Sequence, residues 1–256
     1  MHGIDKENIL GIYRIDMDSL SYPPLLREIF DPPEYLYYRG CLPDPEKPAI
    51  ALVGTRRPSP AASRQAIALG REFAMAGVLV ISGLALGIDA FSHRGALEGG
   101  GYTAAVLGSS VDQIFPASNR DLARRILKTG GSLLSEYRPG TAPRKYYYPQ
   151  RNRIISGLAR ATVIVEAPAG SGALHTARFA LEQGRDLFVA SAGIASPGGE
   201  GSRSLADEGC PVISSAAKVL SEWGINADSV RKWNEQNRRN GGSLALAASL
   251  KQELDL

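Results

Sequence analysis

The sequence predicts an α/β fold, an extended Rossmann-like, doubly wound and mostly parallel sheet in a single main domain, on three observations. Short runs rich in Val, Ile and Leu recur along the chain, a glycine-containing turn follows each, and each turn leads into a stretch of helical periodicity. Such alternation describes βαβ units. Strands apolar on both faces need helices on both sides of the sheet, joined by right-handed crossovers.

Taken in order, residues 1–48 read as an N-terminal lead-in. Within them "LSYPPLLREIFDPPEYLYYRGCLPDPEKP" (20–48) is crowded with prolines and aromatic residues, which predicts an irregular segment packed on the sheet edge. The core domain, 49–222, is predicted to carry strands at 49–54 (AIALVG), 77–82 (GVLVIS), 103–108 (TAAVLG), 132–137 (SLLSEY), 162–167 (TVIVEA) and 186–191 (DLFVAS). Helices are expected near 61–76, 87–99, 119–129, 151–160, 172–184 and 202–208. From Trp223 to Leu256 the chain turns polar, breaks at Gly241-Gly242 and ends helix-prone: a linker and short helical tail, too small for a core of its own. No internal repeat is visible.

Composition narrows the function classes. A chain of 256 residues, 44% hydrophobic and 21% charged, suits one large domain with small appendages. Its formal charge of +3 is too mild to argue for a polyanion partner by itself. Cys41 and Cys210 stand far apart, which predicts neither disulfide nor zinc site and fits a reducing cytoplasm. His2, His93 and His175 are too scattered for a metal cluster, and His93 reads as a helix-face residue with a satisfied hydrogen bond. No apolar run approaches the ~18 residues of a membrane span, so none is expected.

In an open parallel sheet ligands bind beyond the carboxyl ends of the strands, where helix N-termini present free N–H groups. The turns there read "VGTRRPSP" (53–60), "SGLALGID" (82–89), "LGSS" (107–110) and "EAPAGSGALHTA" (166–177). Gly54, Gly83, Gly87, Gly108, Gly170 and Gly172 let backbone approach a ligand, while Ser82, Ser109, Ser171 and Thr176 add hydroxyls and Arg56 a charge. That set suits phosphates, although the same glycines also serve tight βα turns. Neither a Walker A sequence nor a full Gly-x-Gly-x-x-Gly with its ribose-binding acid is present, which disfavours a nucleoside triphosphatase and a dehydrogenase.

Charge is unevenly spread. Between Glu136 and Glu166 there is no acid, while Arg138, Arg144, Lys145, Arg151, Arg153 and Arg160 fall inside; a second acid-free interval, Lys47 to Arg71, adds Arg56, Arg57 and Arg64. Cations beside exposed aromatic rings are what a single strand of nucleic acid requires, because phosphates need charge and unstacked bases need a π-face. Tyr146, Tyr147 and Tyr148 can supply the faces. They can equally pack beneath the loop, with the arginines on a solvated helix face. "RNRIISGLA" reads as an amphipathic helix with Arg151 and Arg153 projecting from its first turn. Asp89 and Asp112 near strand ends have metal-binding chemistry, but helix capping explains Asp89 more simply. Glu166 is expected to orient Arg56 or Arg153.

The motifs "YPPLLREIFDPPEYLYYRG", "AIALVGTRRPSP", "VISGLALGIDAFSHRGAL", "AAVLGSSVDQIFPASNRDL", "GSLLSEYRPGTAP", "YPQRNRIISGLA" and "VIVEAPAGSGALHTARFALEQGR" follow one another in an order that resembles the DNA-processing protein A (DprA/Smf) family, over residues 20 to 215. The resemblance implies a cytoplasmic, dimeric protein that binds single-stranded DNA and helps load RecA onto strands coated with single-strand-binding protein during transformation and recombination. It implies no enzymatic activity and no cofactor. The family's DNA pocket maps onto Arg56, Lys145, Tyr148, Ser171, Gly172 and Thr176. With the neighbouring turns, the DNA-binding set expected is Gly54, Thr55, Arg56, Ser82, Gly83, Gly108, Lys145, Tyr148, Arg151, Asn152, Arg153, Ser171, Gly172 and Thr176. The chain departs from the family pattern in three places: an N-terminal helical domain is confined to residues 1–19 at most, no winged helix is evident after the core, and Ser202-Arg203 replaces a usual Thr-Asn. These departures bear on RecA loading and on dimerisation through 180–222, not on DNA binding.

Two rival classes use the same turns. Nucleotide phosphoribohydrolases of the LOG type carry Pro-Gly-Gly-x-Gly-Thr-x-x-Glu, which "PGGEGSRSL" (197–205) imitates with Leu205 in place of the glutamate; "PAGSGALHT" (168–176) has Thr176 there. An N-glycosidic hydrolase needs a carboxylate beside its oxocarbenium-like transition state. A small-nucleotide sensor is the other rival, and would show affinity that scarcely grows with strand length.

Overall fold

The protein, a computed structural model, is described for residues 11–226 and Asp228; the first ten residues and most of the expected tail lie outside the described residues. One compact unit runs through Ala216 and a second begins at Ala217, earlier than the boundary expected at 222. The second unit opens with the short helix Ala217–Glu222.

The first unit is built on one sheet. Its strands are β1 (Tyr13–Asp16), β2 (Tyr35–Gly40), β3 (Ala49–Val53), β4 (Leu79–Ser82), β5 (Thr103–Val106), β6 (Ser132–Ser135), β7 (Ala161–Ile164), β8 (Asp186–Ala190) and β9 (Val212–Ile213), in the order β1-β2-β6-β5-β4-β3-β7-β8-β9. β3 to β9 run parallel, and β1 and β2 are antiparallel additions on the β6 edge. The direction of strand addition reverses between β3 and β7, the topological switch point at which such sheets bind ligands.

The helices are α1 (Pro24–Arg27), α2 (Pro60–Met75), α3 (Ile88–Glu98), α4 (Arg120–Lys128), α5 (Tyr147–Gly157), α6 (Gly172–Glu182), α7 (Ser191–Ala195) and α8 (Glu200–Asp207). Alternate strand residues face opposite layers. Ala104, Val106 and Leu134 join Ile154, Ile155 and Leu158 of α5 and Ala173, Ala177 and Ala180 of α6 in one core, whereas Ala105, Leu107 and Leu133 meet Ala90 of α3 and Leu122, Ala123 and Ile126 of α4 in the other. α2 and α3 lie so close that a Cβ on Gly95 would stand 2.1 Å from the Ile67 carbonyl oxygen.

The fold class is the one the sequence predicts. Two expectations need correction. The 20–48 segment is not wholly irregular: "YLYYRG" is a strand paired with β6, and "YRID" before it forms the outermost strand, both hidden in the sequence by Pro-Pro pairs and by a tyrosine run without clear alternation. And α5 starts at Tyr147, not 151, because Pro149 falls in its first turn, where a missing N–H breaks no helical hydrogen bond.

Candidate nucleic-acid interface

A cavity of about 1000 Å³ opens above the carboxyl ends of β3 and β7. One wall is the turn after β3, Val53 to Arg57; the opposite wall is the turn after β7, Pro168 to Gly172, leading into α6. Ser171 caps α6, its Oγ accepting from the Ala173 N–H at 3.3 Å, so the N-terminus of an 11-residue helix borders the cavity and favours anions there. α5 forms the third wall through Tyr148, Arg151, Asn152 and Ile155, which share one helix face at spacings of three and four.

Cations without carboxylate partners surround this space. Arg56, Arg57, Arg144 and Lys145 line it, and none of them pairs with a carboxylate among the described residues. The Arg56 guanidinium lies 6.0 Å from the Tyr148 ring centroid, and Phe115 faces the same ring at 6.0 Å and 56°. Burial raises the Tyr148 pKa, against the lowering effect of Arg151 and Arg56. Arg144 donates to the Tyr146 hydroxyl at 2.9 Å.

The floor is a wired turn, Ser82 to Gly87. The Asp89 carboxylate accepts from the N–H groups of Gly83 (3.1 Å) and Ala85 (3.3 Å), Asn119 donates to the carbonyls of Leu84 (2.9 Å) and Ala85 (3.2 Å), and Arg151 donates to those of Gly83 (2.7 Å) and Val106. Leu84 is held at φ 55°, a left-handed conformation that this network maintains. Burial lowers the Arg151 pKa and raises that of Asp89, and the opposite charge of each works against the shift in the other. Asp89 therefore acts as a brace for the loop as well as a first-turn acid.

Ten of the expected binding residues come together around the cavity: Gly54, Thr55, Arg56, Lys145, Tyr148, Arg151, Asn152, Ser171, Gly172 and Thr176. Within that group Arg151 is buried rather than projecting, its guanidinium bound into the floor, and Asn152 donates to the Gly172 carbonyl at 3.2 Å, tying α5 to α6. Four do not line it. Ser82 is buried and donates to the Leu52 carbonyl at 2.6 Å. Gly83 and Gly108 act by leaving room, since a Cβ would stand 2.4 Å from the Arg151 guanidinium in the first case and 2.6 Å from the Tyr148 ring in the second. Arg153 points to the far side of α5, where it binds Glu136 through Nη1 (2.9 Å) and Nη2 (2.8 Å) and Asp31 through Nε (2.9 Å). Gly54, too, serves packing, because a Cβ there would meet Ile88 at 2.6 Å.

Glu166 orients neither arginine. Its Oε2 accepts from the Ser59 N–H (2.8 Å) and hydroxyl (2.9 Å), and its Oε1 from the Ser196 hydroxyl (2.7 Å), so it fixes the start of α2. Leu205, at the position where a phosphoribohydrolase would hold its glutamate, packs against the core, and Thr176 carries no carboxylate. His93 is only half satisfied: Nδ1 meets Thr103 at 2.7 Å, while buried Nε2 has no partner among the described residues. Tyr147 is stacked on Tyr137 at 3.8 Å, which leaves Tyr148 as the tyrosine of the triplet that lines the cavity. Sequence reasoning missed Phe115, and it named Arg57 and Arg144 among the clustered cations without placing them in the binding set. Phe115-Pro116 repeats the aromatic-proline pattern of Tyr148-Pro149, and Arg144 adjoins Lys145 in the same acid-free interval.

Comparison with known proteins identifies the family of the chain. The chain is 41% identical over 211 residues to protein Smf of Synechocystis, an alignment covering 81% of this chain and 53% of that protein. It spans about half the length of the Smf proteins it matches. The crystal structure of DNA processing protein A from Streptococcus pneumoniae superposes with a TM-score of 0.76 at 35% identity, over 84% of this chain and 76% of that one. DNA processing protein A from Helicobacter pylori, described for its single-stranded DNA binding mode, gives 0.72 at 28%, over 83% and 95%. DNA processing protein DprA of Streptococcus pneumoniae is 39% identical over 204 residues, 79% of this chain and 71% of that protein, and the family described as DNA recombination-mediator protein A matches residues 14–224; the chain belongs to that family.

Proposed function

We propose that this protein binds single-stranded DNA in the cavity at the β3–β7 switch point and, as a recombination mediator, presents the strand to RecA without doing chemistry on it. The observation that carries the reading is the pairing of unneutralised Arg56, Arg57, Arg144 and Lys145 with the Tyr148 ring in one cavity at a helix N-terminus. Phosphates take the cations and the α6 N–H groups; a base takes the aromatic face. The binding mode named for the Helicobacter pylori protein supports the ligand, and the family's description as a recombination mediator supports RecA as partner. A homodimer, hand-over from single-strand-binding protein and a cytoplasmic location belong to the same proposal. No helix among the described residues is long and apolar enough to cross a membrane.

Fluorescent oligo-dT, titrated at several lengths and salt concentrations with duplex and mononucleotide as competitors, tests it. Affinity should grow with length, fall steeply with salt and resist mononucleotide. Flat length dependence with mononucleotide competition would sink the strand reading in favour of a small-nucleotide site. RecA loading is then read as faster filament formation on strands coated with single-strand-binding protein.

A further inference from the structure

Phe115 and Pro143 line the cavity at the switch point and also line a second groove of about 750 Å³, so the two hollows meet along one ridge. The second groove lies between α4 and the β2–β6 edge of the sheet, which contributes Arg39 and Leu133. Its α4 wall is Arg120, Ala123, Arg124, Leu127 and Lys128, a stripe at helical spacing in which three cations recur one turn apart. At a rise of 1.5 Å per residue the stripe runs for about 12 Å, long enough to meet several phosphates of a strand whose stacked rise is about 3.4 Å.

The charges in the groove are not consumed by the fold. Arg39, Arg120 and Lys128 have no carboxylate partner among the described residues, and the buried Nε of Arg39 has no hydrogen-bond partner. Arg124 pairs with Asp121 at 2.6 Å, but both are mostly exposed, and such a contact is worth only about 0–1 kcal/mol. The acid in the lining, Asp112, is engaged by the Gly140 N–H at 3.0 Å. Packing of α4 uses Leu122, Ala123, Ile126 and Leu127, and nothing in that packing calls for cations at 120 and 128. On the ridge, Phe115 leaves 54% of its surface exposed.

We propose that this groove is the continuation of the strand-binding site: single-stranded DNA seated in the first cavity crosses Phe115, which offers a stacking face to one base, and lays its following phosphates along the α4 stripe. The inference rests on the single-strand reading above. A single strand fits better than a duplex, whose bases are already stacked and have no use for an exposed ring on the path.

The experiment compares oligo-dT of about 5 and about 20 nucleotides on the wild-type chain and on an Arg120→Ala/Lys128→Ala variant, with melting curves to confirm folding. The short strand should bind both proteins alike. The long strand should bind the variant about 25-fold more weakly at 0.1 M salt, with a salt slope shallower by about 1.4, as two lost phosphate contacts at about 0.7 each require. If the variant holds the long strand as well as the wild type does, the groove is not part of the path, and the first cavity is untouched by that result. Equal loss at both lengths would also overturn it, because the groove would then not be a separate extension. A wild type that binds neither strand removes the single-strand reading and this inference together. Photo-crosslinking with iodouracil-substituted strands on the wild type gives a check that needs no substitution. Adducts within 120–128 are expected with the long strand alone, and adducts confined to Phe115 and the Tyr148 region at both lengths would refute the path.

Discussion

Arg56, Lys145 and Tyr148 meet the same cavity by different physics, and substitution should separate them. Arg56→Ala and Lys145→Ala each remove one charge that can neutralise a phosphate, so each should weaken oligo-dT binding and flatten the salt slope by about 0.7 to 1. Tyr148→Ala removes a stacking face and should cost about 1–3 kcal/mol of binding with the slope unchanged. Gly108→Ala should reproduce the Tyr148 effect without touching the tyrosine, since its Cβ would stand 2.6 Å from that ring. Titration of the four variants against salt checks the set, and a slope change in Tyr148→Ala would show that the ring is not acting as a stacking surface. These residues are readable in the sequence because charge and aromaticity there serve no packing need. Arg151 is not readable in that way. Counting charges cannot tell a cation that faces a ligand from one that holds two backbone turns together from below.

At the scale of elements, the register of α5 decides which of its arginines face the cavity. Once the helix starts at Tyr147, Arg153 lies five residues beyond Tyr148 and on another face, among Glu136 and Asp31. Arg153→Ala should therefore cost about 2–3 kcal/mol of stability, because a largely buried Glu136 loses its charged donor, while oligo-dT affinity and salt slope stay as in the wild type. Paired urea and binding titrations test both halves. α3 carries a second element-level consequence. Thr103 donates its hydroxyl proton to the Val80 carbonyl at 2.7 Å, so His93 must hold its proton on Nδ1 to bond Thr103, and Nε2 is left buried and bare. Burial, reinforced by Arg151, lowers its pKa from 6.5 to about 3. Between those values the unfolded chain binds the extra proton, so the stability His93 allows is complete above about pH 6.5 and declines as pH falls towards 3. His93→Gln should flatten the stability profile between pH 6.5 and 5, above the range where carboxylates titrate; an unchanged profile there would place the acid sensitivity elsewhere. Six parallel strands and their turns are legible as apolar runs, whereas β1 and β2 are not, because the pairing of β2 with β6 and of β1 with β2 is tertiary and leaves no local periodicity in "YLYYRG".

At the scale of the whole first unit, the lead-in covers what would otherwise be the exposed β6 edge of the parallel sheet. β2 pairs with β6 through Tyr37–Ser135 and Gly40–Ser132, and without it Leu133 and Leu134 would lie on an unprotected edge strand open to other chains. Tyr22, Leu26 and Leu36 are fully buried, the Tyr22 hydroxyl donates to the Pro33 carbonyl at 2.7 Å, and Arg185 of the core reaches back to the Leu25 carbonyl at 2.7 Å. Burying three such side chains contributes about 1.5–3 kcal/mol each, or about 5–9 kcal/mol together. A domain of this kind has about 5–15 kcal/mol in total, so a chain beginning at Ala49 should retain little or none of it. The same deletion removes Asp31 from Arg153 and so loosens the outer face of α5, whose inner face carries Tyr148. Thermal unfolding of residues 49–256 beside the full chain is the test. Loss of a cooperative transition, with aggregation through the freed β6 edge, is expected; a cooperative transition at the full chain's melting temperature would show that the lead-in is an appendage and that 49–222 folds as a domain by itself.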